Sequence, residues 1–281
     1  MGAVKHDNAA ASELTSVYED RYCLFIDVMG FAEKIRRSEG DIYLQHSING
    51  ALARIENFFL SGPYSARGDA RVSIFSDSIA LSLAASPVRD VRTEDLGIFM
   101  LRDAVLLAVD LVSMGFLVRG GFARGELFHK NLRVFGPALV KAYELEQTAI
   151  FPRIVTDRET LGRMADPRHG TAAFMATMLQ HEPSGLLYLN YINIGGACAR
   201  WRNLTVDRIC EFMQALYRLI CSEVGSTKIS LSTKHKMDWM AHEYNRSIKE
   251  MLDSNPRQFS DGEKAQICAL PLFALERRPY G

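Results

Sequence analysis

Two aspartates stand where aspartate is costly. Asp27 lies inside Tyr22–Phe31 (YCLFIDVMGF) and Asp77 inside Val72–Leu83 (VSIFSDSIALSL), both runs of branched and aromatic residues with strand character. An ionised carboxylate among apolar neighbours is expensive unless something positive meets it, so two of them in one chain suggest a shared metal ion. Taken singly, each has a plainer explanation: Asp27 can start a helix or stabilise a turn, and Asp77 can close a hairpin through an Asx-turn. Carboxylate ligands select a hard cation, Mg²⁺ or Mn²⁺, which takes one or two protein carboxylates and fills its shell with substrate phosphates. The backbone carbonyl of Val28 offers a further ligand. Met29-Gly30-Phe31, where a strand turns into a helix, offers backbone N–H groups to a phosphate.

Other chemistries fit less well. The five cysteines (Cys23, Cys198, Cys210, Cys221, Cys268) are odd in number and show no CxxC spacing, which argues against a disulfide framework and a zinc site and fits a reducing cytoplasm. The seven histidines form no ligand spacing, and Gly195-Gly196 lacks the rest of a dinucleotide fingerprint. Lys plus Arg and Asp plus Glu both number 33, so neither nucleic acid nor an acidic membrane is expected as a partner. Lys228, Lys234, His235 and Lys236 near Trp239 read as a solvated helix start. The polar N-terminus and the lack of an apolar run of roughly 20 residues predict a cytoplasmic protein without membrane spans.

The elements that must position the aspartates follow from periodicity. Residues 22–29 read as a buried strand ending at Gly30, and Phe31–Leu60 as helix with a break at Ser38-Glu39-Gly40. Val72–Phe75 and Ile79–Leu83 form a hairpin with Ser76-Asp77-Ser78 at its tip. Thr93–Met114 is a helix closed by Gly115, and Phe116–Phe122 and Glu126–Val134 read as two strands flanking Ala123-Arg124-Gly125. Gly136-Pro137 opens a helix to about Thr148, Ile154–Thr156 and Leu186–Ile192 read as strands, and Val206–Val224 and Lys234–Leu252 as amphipathic helices. The stripe Met237, Met240, Tyr244, Ile248, Met251 predicts a face docked on the core. Strands mixed with helices in this order predict an α+β sandwich with a largely antiparallel sheet. Side-chain alternation then puts Phe25 on the same face as Asp27, where it stacks on a base or sugar or packs in the core.

Read together, four segments resemble the class III nucleotide cyclase catalytic domain. FIDVMGF matches the strand that supplies the first metal aspartate, Asp27, and a hairpin tip supplies the second, Asp77. Arg119, Gly121 and Gly125 match an Arg-x-Gly-x-x-x-Gly strand, and Gly136, Ala142, Leu145 and Glu146 match a Gly-x-x-x-x-x-Ala-x-x-Leu-Glu helix. The resemblance covers residues 20–195, the expected catalytic domain with a ferredoxin-like, palm-type sandwich, and leaves 196–281 as a helical extension packed on it. It implies two Mn²⁺ or Mg²⁺ ions per site, held by Asp27, Val28 and Asp77, a nucleoside triphosphate, and a homodimer with active sites at the interface. The ribose 3′-hydroxyl would attack the α-phosphorus with pyrophosphate leaving, the ion pair neutralising charge on both oxygens.

The departures from that family bear on the substrate. Its purine-reading positions fall on Ser73 and Arg133, and its ribose asparagine and transition-state arginine on Val140 and Glu144. The FSDSI hairpin and VFGPALVKAYELE helix are similar to the bacterial branch of pyrimidine cyclases in anti-phage defence. That implies a uridylate or cytidylate cyclase producing a second messenger for a cyclic-nucleotide-responsive effector. The transition state still needs a cation, for which Arg119, Arg124, Lys130 and Lys141 are candidates. A catalytically silent nucleotide-binding or dimerisation module, a purine cyclase and another palm-type nucleotidyl transferase are the competing readings.

Overall fold

The structure is a computed structural model, and it describes residues 16–61, 69–86, 96–164, 179–193, 205–225, 230–253 and 259–274. It opens on β1 (Glu19–Val28), followed by α1 (Phe31–Arg37) and α2 (Ile42–Leu60). Then come β2 (Arg71–Phe75), β3 (Ser78–Ala84), α3 (Leu96–Ser113), β4 (Val118–Lys130), β5 (Arg133–Phe135) and α4 (Pro137–Thr148). Next are β6 (Ile154–Thr156), α5 (Arg158–Gly162), β7 (Leu179–His181) and β8 (Leu187–Leu189). Three helices end the described chain: α6 (Val206–Val224), α7 (Leu231–Asp253) and α8 (Asp261–Cys268).

The strands form one sheet in the order β2-β3-β1-β4-β6-β8-β7, with β5 paired to β4 outside that path. Among the described strands all pairings are antiparallel except β4 with β6, so the expected α+β architecture with a mostly antiparallel sheet holds. The parallel pair requires a crossover, and α4 supplies it.

Alternation along β1 divides the molecule. Tyr22, Leu24, Ile26 and Val28 face a core that also takes in α2, α3 and the C-terminal helices α6–α8. The expected docking stripe Met237, Met240, Tyr244, Ile248, Met251 is buried in that core. Cys23 and Phe25 face the other way, against Ala123 and Leu127 of β4 and Ala138, Ala142, Leu139 and Leu145 of α4. The boundary expected at 195/196, Gly195-Gly196, Cys198 and Lys228 lie outside the described residues.

One expectation is overturned. Residues 116–134 are not two strands flanking Ala123-Arg124-Gly125: β4 runs unbroken from Val118 to Lys130, and its turn is Asn131-Leu132, with Asn131 at φ 56°. The glycines serve close approach rather than turning. A Cβ on Gly121 would sit 1.9 Å from the Ala142 carbonyl oxygen, and one on Gly120 would sit 2.7 Å from the Phe25 carbonyl oxygen. The smaller differences are elements too short for a periodic signal: α5, β7 and α8, the last announced by a capping box of Ser260 and Glu263.

Candidate active site

Asp27 is the last residue of β1 to face the α4 side, and the register sets it opposite Ser78 of β3 and Arg119 of β4. Asp77 precedes Ser78 in the two-residue turn Ser76-Asp77, with φ +60° at Ser76. A polar residue with little β-carbon crowding tolerates that left-handed conformation better than a branched one would. The Val28 N–H donates to the Asp77 carbonyl at 3.0 Å, which ties the turn to the end of β1. In an antiparallel strand the N–H and C=O of one residue point to the same side, so the Val28 carbonyl is also directed at the Asp77 turn. Asp27, Asp77 and the Val28 carbonyl therefore gather at one corner of the sheet.

Arg119 meets the charge of Asp27. Its Nε donates to Asp27 Oδ2 at 2.9 Å, and the same Nε lies 2.7 Å from Glu146 Oε1. The Arg119 and Asp27 side chains keep 24% and 21% of their exposure, whereas that of Glu146 keeps 1%. Burial raises the Glu146 carboxyl above its ordinary value; Arg119 pulls it back and the charge of Asp27 adds to the rise. The terminal nitrogens of Arg119 make no hydrogen bond within the described residues, which leaves the planar fork open for two oxygens of an anion.

Glu146 carried no role in the sequence reading beyond membership of a motif. Its signal is the spacing Ala138, Ala142, Glu146: two small residues at intervals of four mark the helix stripe laid on the sheet, and an acid continuing that stripe is buried. Tyr191 was also missed. Its hydroxyl donates to the Val118 carbonyl at 2.9 Å and accepts from the Val118 N–H at 3.3 Å, anchoring the start of β4 beside Arg119.

The other predicted residues divide. Phe25 packs edge-on against Tyr143 of α4, ring centroids 5.6 Å apart, on the face of Asp27. Met29 is partly buried on the core with its N–H donating to the Leu117 carbonyl at 2.9 Å, and the ring of Phe31 is inside the core, so of the three only Gly30, with φ +69°, is exposed. Glu33 in the first turn of α1 opposes an anion there. Ser73 is buried, its Oγ 3.0 Å from His129 Nε2. Arg124 points to the opposite face from Arg119, donating to Asp20 at 2.8 Å and to the Arg163 carbonyl at 2.8 Å. Lys141 is held by Asp157 and Glu159, each at 2.7 Å, and those hydrogen bonds lift its pKa against the burial that would lower it. Arg133 stacks over Phe128 opposite Lys130, at the far end of β4 from Arg119. Eleven residues of strand span about 36 Å, so within one chain neither Arg133 nor Lys130 reaches Asp27.

The donors suit a hard divalent cation: two carboxylates and a carbonyl, all oxygen. Among the described residues no three His, Cys, Asp or Glu side chains gather as a metal cluster. No helix among the described residues is long and apolar enough to cross a membrane. A scan of protein-family models and a search of curated proteins find no match to this chain.

Proposed function

We propose that this protein is a metal-dependent nucleotide cyclase of the class III type, converting a pyrimidine ribonucleoside triphosphate, UTP or CTP, to its 3′,5′-cyclic monophosphate and pyrophosphate. The observation that carries the reading is the corner where Asp27, Asp77 and the Val28 carbonyl meet under the register of β1 and β3. The chain order of the first four strands, with helices crossing from β1 to β2 and from β3 to β4 and spatial order β4-β1-β3-β2, is that of a ferredoxin-like sandwich and supports the resemblance.

Asp27, Val28 and Asp77 would hold Mn²⁺ or Mg²⁺, which when bound lowers the pKa of the attacking hydroxyl and neutralises charge on the phosphates. Arg119 is anchored through Nε and presents its fork to a phosphate oxygen pair, the role of the missing family arginine. The homodimer is supported by apolar side chains left exposed beside this face, among them Phe75, Val140 and Tyr143. A second-messenger role in antiviral defence follows from the family resemblance.

One observation favours the silent module instead: Arg119 already balances Asp27 without a metal. Incubation of the purified protein with each of the four ribonucleoside triphosphates and Mn²⁺, with products identified by chromatography and mass spectrometry, separates the readings. A cyclic pyrimidine monophosphate that disappears in both Asp27→Ala and Asp77→Ala is the expected result. No turnover of any triphosphate makes the silent module the better account, and a linear dinucleotide points to another palm-type transferase.

A further inference from the structure

We propose that Glu146 is a positioning residue that draws Arg119 off Asp27 when a divalent cation binds, and so sets how tightly the cation is held; this rests on Asp27 being a metal ligand. Arg119 Nε carries one proton and stands between two carboxylates, 2.9 Å from Asp27 Oδ2 and 2.7 Å from Glu146 Oε1. One N–H cannot point at both. The hydrogen bond goes to Asp27, and Glu146 Oε1, shut off from water, receives none. A buried carboxylate oxygen without a hydrogen bond is costly, so Glu146 is an acceptor waiting for a donor already within reach.

A rotation of the guanidinium moves the N–H from Asp27 to Glu146 without displacing either backbone. Asp27 then has both oxygens for a cation, and Glu146, whose Oε2 already accepts from Gln147 at 2.6 Å, gains the bond it lacks. Arg119 keeps a carboxylate partner in both positions, so the exchange strands no buried charge. The close seat of α4 on Gly121, where Glu146 N would lie 2.6 Å from an added Cβ, keeps Glu146 at this distance. Cation and arginine compete for one aspartate, and the second carboxylate tilts the competition toward the cation.

The test uses the full chain and Mn²⁺ alone, with binding read from the electron paramagnetic resonance of the free ion. Glu146→Gln should bind Mn²⁺ about tenfold more weakly than wild type, because Arg119 is left with Asp27 as its only carboxylate. In an Arg119→Gln background the same substitution should change affinity by no more than about twofold. Glu146→Asp, which keeps the charge on a shorter arm, should fall between. In ¹⁵N spectra the Arg119 Nε–Hε resonance, identified by its absence in Arg119→Lys, should shift with Mg²⁺ in wild type and hold still in Glu146→Gln. Equal Mn²⁺ affinity in wild type and Glu146→Gln overturns the proposal, as does an equal loss with and without Arg119, which would make Glu146 a plain through-space charge. Absence of Mn²⁺ binding to wild type, or unchanged binding in Asp27→Asn, overturns the metal reading itself and the proposal with it.

Discussion

Replacing Gly121 by alanine adds one carbon where the structure has no room. The new Cβ would lie 1.9 Å from the Ala142 oxygen, 2.6 Å from the Glu146 nitrogen and 2.9 Å from the Ala142 carbonyl carbon, all backbone atoms of α4 that no rotamer change can clear. Ordinary contact begins near 3.4 Å, so the helix must retreat by about 1.5 Å, loosening Ala138 and Ala142 from Cys23, Ala123 and Leu127. Overpacking of this kind costs about 3 kcal/mol, from which roughly 1 kcal/mol is recovered because alanine has fewer unfolded conformations than glycine. The net loss of about 2 kcal/mol should lower the melting temperature by about 4–8 °C. Gly125→Ala is the control, on the same strand and the same face, where the nearest atom to the added Cβ is Ala138 Cβ at 3.7 Å. That variant should melt at the wild-type temperature or slightly above it. If Gly121→Ala melts no lower than Gly125→Ala in calorimetry, α4 does not rest on β4 in the way argued.

Two further expectations concern titration and thiol chemistry. Burial, reinforced by the guanidinium groups of Arg21 and Arg71, pushes His129 down from 6.5 to about 4, with Asp69 and Glu19 only partly offsetting it. The unfolded chain therefore takes up the proton first, so this contribution is whole above pH 6.5 and is lost as the pH falls toward 4. Urea unfolding at pH 7.5 and pH 5 should show wild type losing about 2 kcal/mol more than His129→Gln, and equal losses would contradict a neutral buried imidazole. Cys23 is fully enclosed and burial raises its thiol to about 12, whereas Cys221 and Cys268 are exposed. Alkylation of the native protein at pH 8, mapped by mass spectrometry, should label Cys221 and Cys268 and leave Cys23 unmodified until urea is added; rapid native labelling of Cys23 would refute its enclosure.

What the sequence disclosed depends on how local each signal was. Strand β1, the β2–β3 hairpin and α6 follow from alternation or 3.6-residue periodicity within the segment itself, and α6 spans Val206–Val224 as its pattern predicts. Strand β4 was misread because Gly120, Gly121 and Gly125 look like turn residues, whereas Gly120 and Gly121 make room for backbone that arrives from β1 and α4. That error also hid the facing of Arg124: on a continuous strand, residues an odd number apart point to opposite sides, so Arg119 and Arg124 cannot share a site. Asp27 and Asp77 were legible because a charge in an apolar run is conspicuous by itself. The partner of Ser73 was not, since His129 lies 56 residues away and only the sheet brings the two together.

The face of β1 that carries Asp27 holds a second charged cluster about 20 Å away, and the contrast between the two separates a site from a brace. There Arg21 is fully buried, and each of its nitrogens is committed: Nε to Ser82 Oγ at 3.0 Å, Nη1 to Glu19 at 2.7 Å and Asp69 at 3.0 Å, and Nη2 to the Asp69 and Ser82 carbonyls. Arg71 joins it through Asp69, Glu19 and the His129 carbonyl, so the cluster locks β1 to the edge of β2 and leaves no nitrogen of Arg21 uncommitted. Arg119 has similar neighbours, two carboxylates, yet only its Nε is engaged and its fork remains exposed. Counting charges would rank the Arg21 cluster first. Counting uncommitted donors ranks the Arg119 corner first, because a group whose hydrogen bonds are all satisfied within the fold has nothing to offer a substrate. The same test finds Arg124 and Lys141 committed to acceptors within the fold, and of these three cations only Arg119 keeps terminal nitrogens that are unengaged among the described residues.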